Sequence, residues 1–157
     1  NKLGGTLDTH ACFLHERGLK TLGLRVRQQN STALKIAQFL ESHPEVSEVN
    51  YPGLEKHPEH KLAKELYTGF GGMLSFQLKA GLAAAESFAR SVKLALHAPS
   101  SGGVESLITL PANTTHAFMS ESDRNAIGFS KDLIRLSVGL EDERDLLADI
   151  KNALTKI

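Results

Sequence analysis

The order of elements in this sequence predicts an α+β fold, a small and largely antiparallel sheet of about four strands with helices packed on one face. Three observations carry that expectation. Apolar residues recur at three-to-four-residue multiples through a long segment at about 20–42, the spacing of one helical face. Apolar and polar residues alternate at 73–79, 92–97 and 132–138, the period of a half-buried strand. A last amphipathic segment places Leu146, Leu147, Ile150, Ala153, Leu154 and Ile157 on one face.

The elements follow in chain order. Asp8 to Arg17 reads as a short helix, with Asp8 as a cap and Gly18 as its end. In the long helix, Leu22, Val26, Ala33, Ala37 and Leu40 share a face that the polar pair Gln29 and Asn30 interrupts, and His43-Pro44 ends it. Val46 to Tyr51 reads as a strand and Pro52-Gly53 as a turn. Pro58 suits the first position of a helix running to about Tyr67. Gly69, Gly71 and Gly72 lead into the strand of Leu74, Phe76 and Leu78. A helix from about Leu82 to Arg90 precedes the strand of Val92, Leu94 and Leu96. Ala98 to His116 reads as irregular, with Pro99, Pro111 and the pair Gly102-Gly103. Ser120 and Asp123 match a capping box for a short helix closed by Gly128. The strand from Leu133 to Val138 and the last helix complete a single domain at 1–157.

The chain has 157 residues, enough for a real core, and its 41% hydrophobic and 23% charged content is that of a folded domain. With 18 basic and 18 acidic residues there is no basic excess of the kind that nucleic acid or an anionic membrane surface selects. No apolar run approaches the roughly 18 residues that span a bilayer, and no leader pattern is visible. Cys12, the single cysteine, has no disulfide partner in the chain and fits a reducing compartment. It sits between Ala11 and Phe13-Leu14 and reads as packed in its helix. The start at Asn1 reads as that of a piece of something longer.

Chemistry has few places to reside. The segment from Ala98 to His116 is long for a connection, and such loops are often functional. Its glycine pair lets backbone N–H groups approach a ligand, and Ser100 and Ser101 add hydroxyls. The same residues also read as an ordinary glycine-rich turn, the commoner outcome on local chemistry. In Ile134-Arg135-Leu136-Ser137-Val138, Arg135 and Ser137 share one strand face. Arg135 is either a solvent-facing residue, again the commoner case, or an anion clamp whose planar fork suits a carboxylate. His57 and His60 have Pro58 between them and no Cys or carboxylate cluster joins them, so no metal site is expected. His97 and His116 lack a nucleophile beside them and read as satisfied histidines. The acidic run Glu141 to Asp145 reads as a helix start.

Taken together, the motifs resemble a known family. Arg17-Gly-Leu-Lys-Thr-Leu22 with Arg25, Tyr51-Pro-Gly-Leu54, His57-Pro-Glu-His60, Gly69-Phe-Gly-Gly-Met73 with Ser75-Phe76, Ser100-Ser-Gly-Gly-Val-Glu-Ser-Leu107, Pro111-Ala with Thr115-His116, and Leu133-Ile-Arg-Leu-Ser-Val-Gly-Leu-Glu-Asp142 stand in its order. The chain is similar to the C-terminal domain of the pyridoxal-phosphate enzymes of cysteine and methionine metabolism. These include cystathionine γ-synthases, cystathionine γ- and β-lyases, methionine γ-lyases and O-acetylhomoserine sulfhydrylases. The resemblance implies a fold-type I enzyme acting on a sulfur amino acid, a lyase or transferase working by elimination or replacement at the γ or β carbon. It also implies a homo-oligomer, tetrameric at full length, in the cytoplasm or an organelle with a reducing interior.

The cofactor lysine would lie in an upstream domain that nothing here matches, so this piece alone is expected to be inactive. By motif position Arg135 matches the arginine that grips the substrate α-carboxylate. Ser100 matches a serine of the same pocket beside the cofactor lysine, and Thr115, more weakly, a threonine near it. Ser101 stands where the family has leucine, and Pro99 stands where some cystathionine-using members carry a carboxylate; both leave the substrate open. The other reading is a non-catalytic degenerate domain that binds a partner or a small carboxylate.

Overall fold

The computed structural model describes residues 5–127 and 129–157. The expected helix end at Gly128 lies outside the described residues. Six α-helices and five strands follow in the order α1 (Thr9–Leu19), α2 (Leu22–Ser42), β1 (Val46–Asn50), α3 (His60–Leu66), β2 (Met73–Leu78), α4 (Gly81–Ser91), β3 (Leu96–His97), β4 (Leu107–Thr109), α5 (Glu121–Ala126), β5 (Ile134–Ser137) and α6 (Glu143–Leu154). A 3-10 turn, Pro111–Asn113, follows β4.

The five strands form one sheet in the order β1-β2-β5-β4-β3. The pairs β1–β2, β2–β5 and β4–β5 are antiparallel, and only β3 runs parallel to its neighbour β4. The expected α+β fold with a largely antiparallel sheet is therefore present, with five strands where about four were expected. The extra strand is β4. Its three residues are all buried, so they show no polar-apolar alternation to read. β3 is shorter than the alternation over 92–97 predicts, because Asp149 of α6 intervenes. Its Oδ2 accepts from the Lys93 and Leu94 amides at 2.8 and 2.9 Å, and those donors are then lost to any ladder. At the opposite edge, β1 carries a register irregularity between Val46 and Glu48.

One sheet face is dry. Leu74, Phe76 and Leu78 of β2, Ile108 of β4, and Ile134 and Leu136 of β5 meet Ala33, Ile36, Ala37 and Leu40 of α2. Phe88 and Ala85 of α4 and Leu146, Ile150 and Leu154 of α6 complete that core. Phe76 and Phe88 meet edge to face at 5.4 Å between ring centroids. Burying each such side chain contributes about 1.5–3 kcal/mol before the cost of ordering the chain. Asp142 caps α6 by accepting from the Arg144 amide at 2.8 Å. Ser120 takes the Asp123 amide at 3.1 Å, half of the expected capping box.

The N-terminal helices differ from their sequence pattern. Asp8 does cap α1, accepting from the His10 and Ala11 amides at 2.9 and 3.0 Å, but α1 continues past Gly18 to Leu19. No residue of α1 is buried, and Cys12 is exposed, not packed as its apolar neighbours suggested. Leu22 and Val26 are also exposed, since the buried face of α2 begins at Gln29. α3 starts at His60, two residues later than Pro58 suggested, because His57 and Pro58 belong to a turn in which the His60 amide donates to the His57 carbonyl at 3.0 Å.

Candidate functional site

The opposite sheet face is where polar groups gather. Strand alternation sends Ser75 and Arg135 away from the core, and the β2–β5 and β5–β4 registers align Ser75, Arg135 and Thr109 in one row across the sheet. Above this row lies a cleft of about 290 Å³, lined among others by Asn50, Ser75, Pro111, His116, Phe129 and Arg135. His116 stacks on Phe129 at 4.7 Å. Among the described residues no carboxylate lines this cleft, and none lies within ion-pair distance of Arg135. The guanidinium donates through Nη2 to the Pro99 carbonyl at 2.5 Å and carries more N–H donors than that contact uses. A half-buried cation that no anion balances attracts an anion, and a planar fork prefers a carboxylate.

Arg135 thus lines the cleft, while Thr115 and Ser100 do not. Thr115 is exposed and reaches the cleft only through its neighbour, with Oγ1 at 2.8 Å from Nδ1 of His116. Ser100 is exposed and does not line the cleft; the carbonyl of the residue before it, Pro99, accepts from Arg135. Among the described residues no group of three His, Cys, Asp or Glu side chains is placed to hold a metal ion. No described helix is long and apolar enough to cross a membrane.

The loop before β4 is fastened to the strand that carries Arg135. The Gly102 amide donates to Ser137 Oγ at 3.2 Å, and Gly102 takes φ +78°, a conformation that excludes most side chains. The Leu140 amide donates to the Val104 carbonyl at 2.7 Å. Glu141 spans the end of the loop: Oε1 accepts from the Ser106 amide and Oε2 from its hydroxyl, each at 2.7 Å. Ser106 Oγ accepts in turn from the Gly139 amide at 2.8 Å. A Cβ on Gly139 would overlap the Val104 carbonyl oxygen and the Glu105 carbonyl carbon, so the close approach needs glycine. Glu141 is therefore more than part of an acidic helix start. On the neighbouring loop, Tyr51 is fully buried and donates to the Gly71 carbonyl at 2.9 Å, and burial pushes its phenol up to about 12.

The chain is similar to known proteins over almost its whole length. Cystathionine gamma-synthase 1, chloroplastic, of Nicotiana tabacum is 49% identical over 155 residues, covering 99% of this chain and 29% of that protein. Cystathionine gamma-lyase of Macaca fascicularis is 50% identical over 154 residues, covering 98% of this chain and 38% of that protein. The structure of cystathionine gamma synthase from Xanthomonas oryzae pv. oryzae in complex with aminoacrylate and cysteine superposes with a TM-score of 0.92 at 44% identity, covering 99% of this chain and 40% of that one. The chain thus spans two fifths or less of the length of these relatives. Residues 1–155 match the family described as Cys/Met metabolism PLP-dependent enzyme, and the chain belongs to that family.

Proposed function

We propose that this chain is the C-terminal, substrate-carboxylate-binding part of a pyridoxal-phosphate-dependent lyase or transferase of trans-sulfuration, with Arg135 as the anchor of the substrate's α-carboxylate. One observation supports this most: a half-buried arginine with no balancing carboxylate among the described residues faces a cleft of amino-acid size. The Xanthomonas relative was captured with cysteine, which bears the carboxylate this fork would take. Holding the carboxylate at Arg135 fixes how the bonds at the adjacent carbon point, an orienting contribution made before any bond breaks. In this reading Ser100 and, more weakly, Thr115 serve the same carboxylate; the Thr115 hydroxyl at 2.8 Å from Nδ1 of the cleft residue His116 supports the second.

Pyridoxal phosphate, held on a lysine, would supply the electron sink for the reaction. Among the described residues no lysine lines the cleft, so the residues here do not fit its attachment, and no step is assigned to it on this chain. The chain alone is then inactive, and the working enzyme is a full-length homo-oligomer, tetrameric in this reading, in the cytoplasm or a reducing organelle.

The test is Arg135→Ala in the full-length protein. Losing a bidentate contact worth roughly 1.5–3 kcal/mol predicts a fall of about tenfold or more in kcat/KM with cofactor content unchanged. Arg135→Lys should recover little, since an ammonium cannot reproduce the fork. Near-normal kcat/KM in Arg135→Ala would end the anchor assignment.

A further inference from the structure

Arg135 does not hold its place alone. Its guanidinium is bonded to the Pro99 carbonyl, so the position of the 99–106 loop and that of the guanidinium are linked. Most ties on that loop run to β5 or to the residues just after it: Gly102 to Ser137, Val104 to Leu140, Ser106 to Gly139 and Glu141. One comes from a different layer of the molecule. Gln29 of α2, only 8% exposed, donates through Nε2 to the Gly103 carbonyl at 2.8 Å. Gln29 is one of the two polar residues that interrupt the apolar face of α2. Burying a carboxamide there is costly unless it is bonded, and its bond falls on the glycine pair of the loop.

We infer that Gln29 is a positioning residue for carboxylate binding: by holding the Gly103 carbonyl it keeps the 99–104 loop over β5 and so keeps Arg135 oriented toward the cleft. The inference rests on the Arg135 reading and extends it from the sheet to the helix layer. Gln29 does not line the cleft, so its effect must pass through the loop.

Two measurements on the full-length enzyme test this. Gln29→Met keeps the side-chain length and removes the donor. It should raise KM for the amino-acid substrate roughly threefold to tenfold while kcat stays near wild type, the range expected for one neutral hydrogen bond. Gln29→His places Nε2 the same number of bonds from Cα and should stay close to wild type; a histidine no better than methionine overturns the inference. In the Arg135→Ala background the effect of Gln29→Met should vanish, because the residue it acts through is gone. Hydrogen exchange supplies the second readout: the amides of residues 102–104 should exchange faster in Gln29→Met, and unchanged protection overturns the proposal. If Arg135→Ala is costly and Gln29→Met adds its full effect on top, the positioning role alone falls. If Arg135→Ala is itself harmless, the carboxylate reading falls and takes the positioning role with it.

Discussion

Glu141→Ala offers the sharpest test of how the loop before β4 is held. The substitution removes the acceptors of the Ser106 amide and hydroxyl, each now bonded at 2.7 Å. Ser106 is fully buried, so neither donor can turn to water in place. An orphaned buried donor costs about 1–3 kcal/mol, and here there are two, although the hydroxyl can rotate toward another acceptor. The expected loss is therefore about 2–4 kcal/mol. Glu141→Gln keeps one acceptor oxygen for the amide and should cost about half as much. Ser106→Ala should fall between them, since it orphans the Gly139 amide but leaves the Ser106 amide bonded. Denaturant unfolding of the full-length variants measures this as a lowered midpoint with an unchanged slope. A Glu141→Ala protein within about 0.5 kcal/mol of wild type would refute the account, because surface charges away from such networks change stability by no more than that.

Other expectations follow from other parts of the molecule. Burial raises Tyr51 from 10.0 to about 12, so between those values the unfolded chain binds fewer protons than the folded one. Stability then falls as pH rises through that window, by up to about 1.4 kcal/mol per unit, and Tyr51→Phe should flatten the decline; parallel pH profiles for the two proteins would contradict this. Leu14, Leu19, Leu22 and Leu24 stand exposed on α1 and the first turns of α2, so this chain by itself should self-associate, and Leu22→Glu with Leu24→Glu should reduce that in sedimentation runs. A clean monomer over a wide concentration range would count against the idea. Incubating the chain alone with pyridoxal phosphate and then borohydride should leave no pyridoxyl group on any lysine by mass spectrometry; one stable modified site would show that this piece carries an attachment point of its own.

Legibility in the sequence tracked the distance over which each feature is decided. The strand of Leu74, Phe76 and Leu78 and the buried half of α2 were visible because their periodicity is local. Arg135 was visible as a polar residue in an apolar strand, but its cleft depends on the registers with Ser75 and Thr109. β4 was hidden because Leu107, Ile108 and Thr109 are all buried and follow a glycine-rich stretch. The segment from Val92 to Leu94 misled because its alternation is real while its amides go to a side chain far along the chain. Gln29 was marked only as a polar break in an apolar helical face and Glu141 only as part of an acidic run, since their partners lie 74 and 35 residues away. Exposure of Leu22, Val26 and Cys12 was unreadable for a related reason: an apolar helical face does not say where its covering layer ends.

Asp149 has a consequence beyond shortening β3. A sheet that stops at a bare row of amides and carbonyls is a template on which another extended chain can grow. Here one margin ends after two residues, with the preceding amides bound to a carboxylate, and the other margin is kinked by the irregularity between Val46 and Glu48. Neither margin offers a long straight run for recruitment. Margins of this kind disfavour strand addition, the mode of association that tends to propagate.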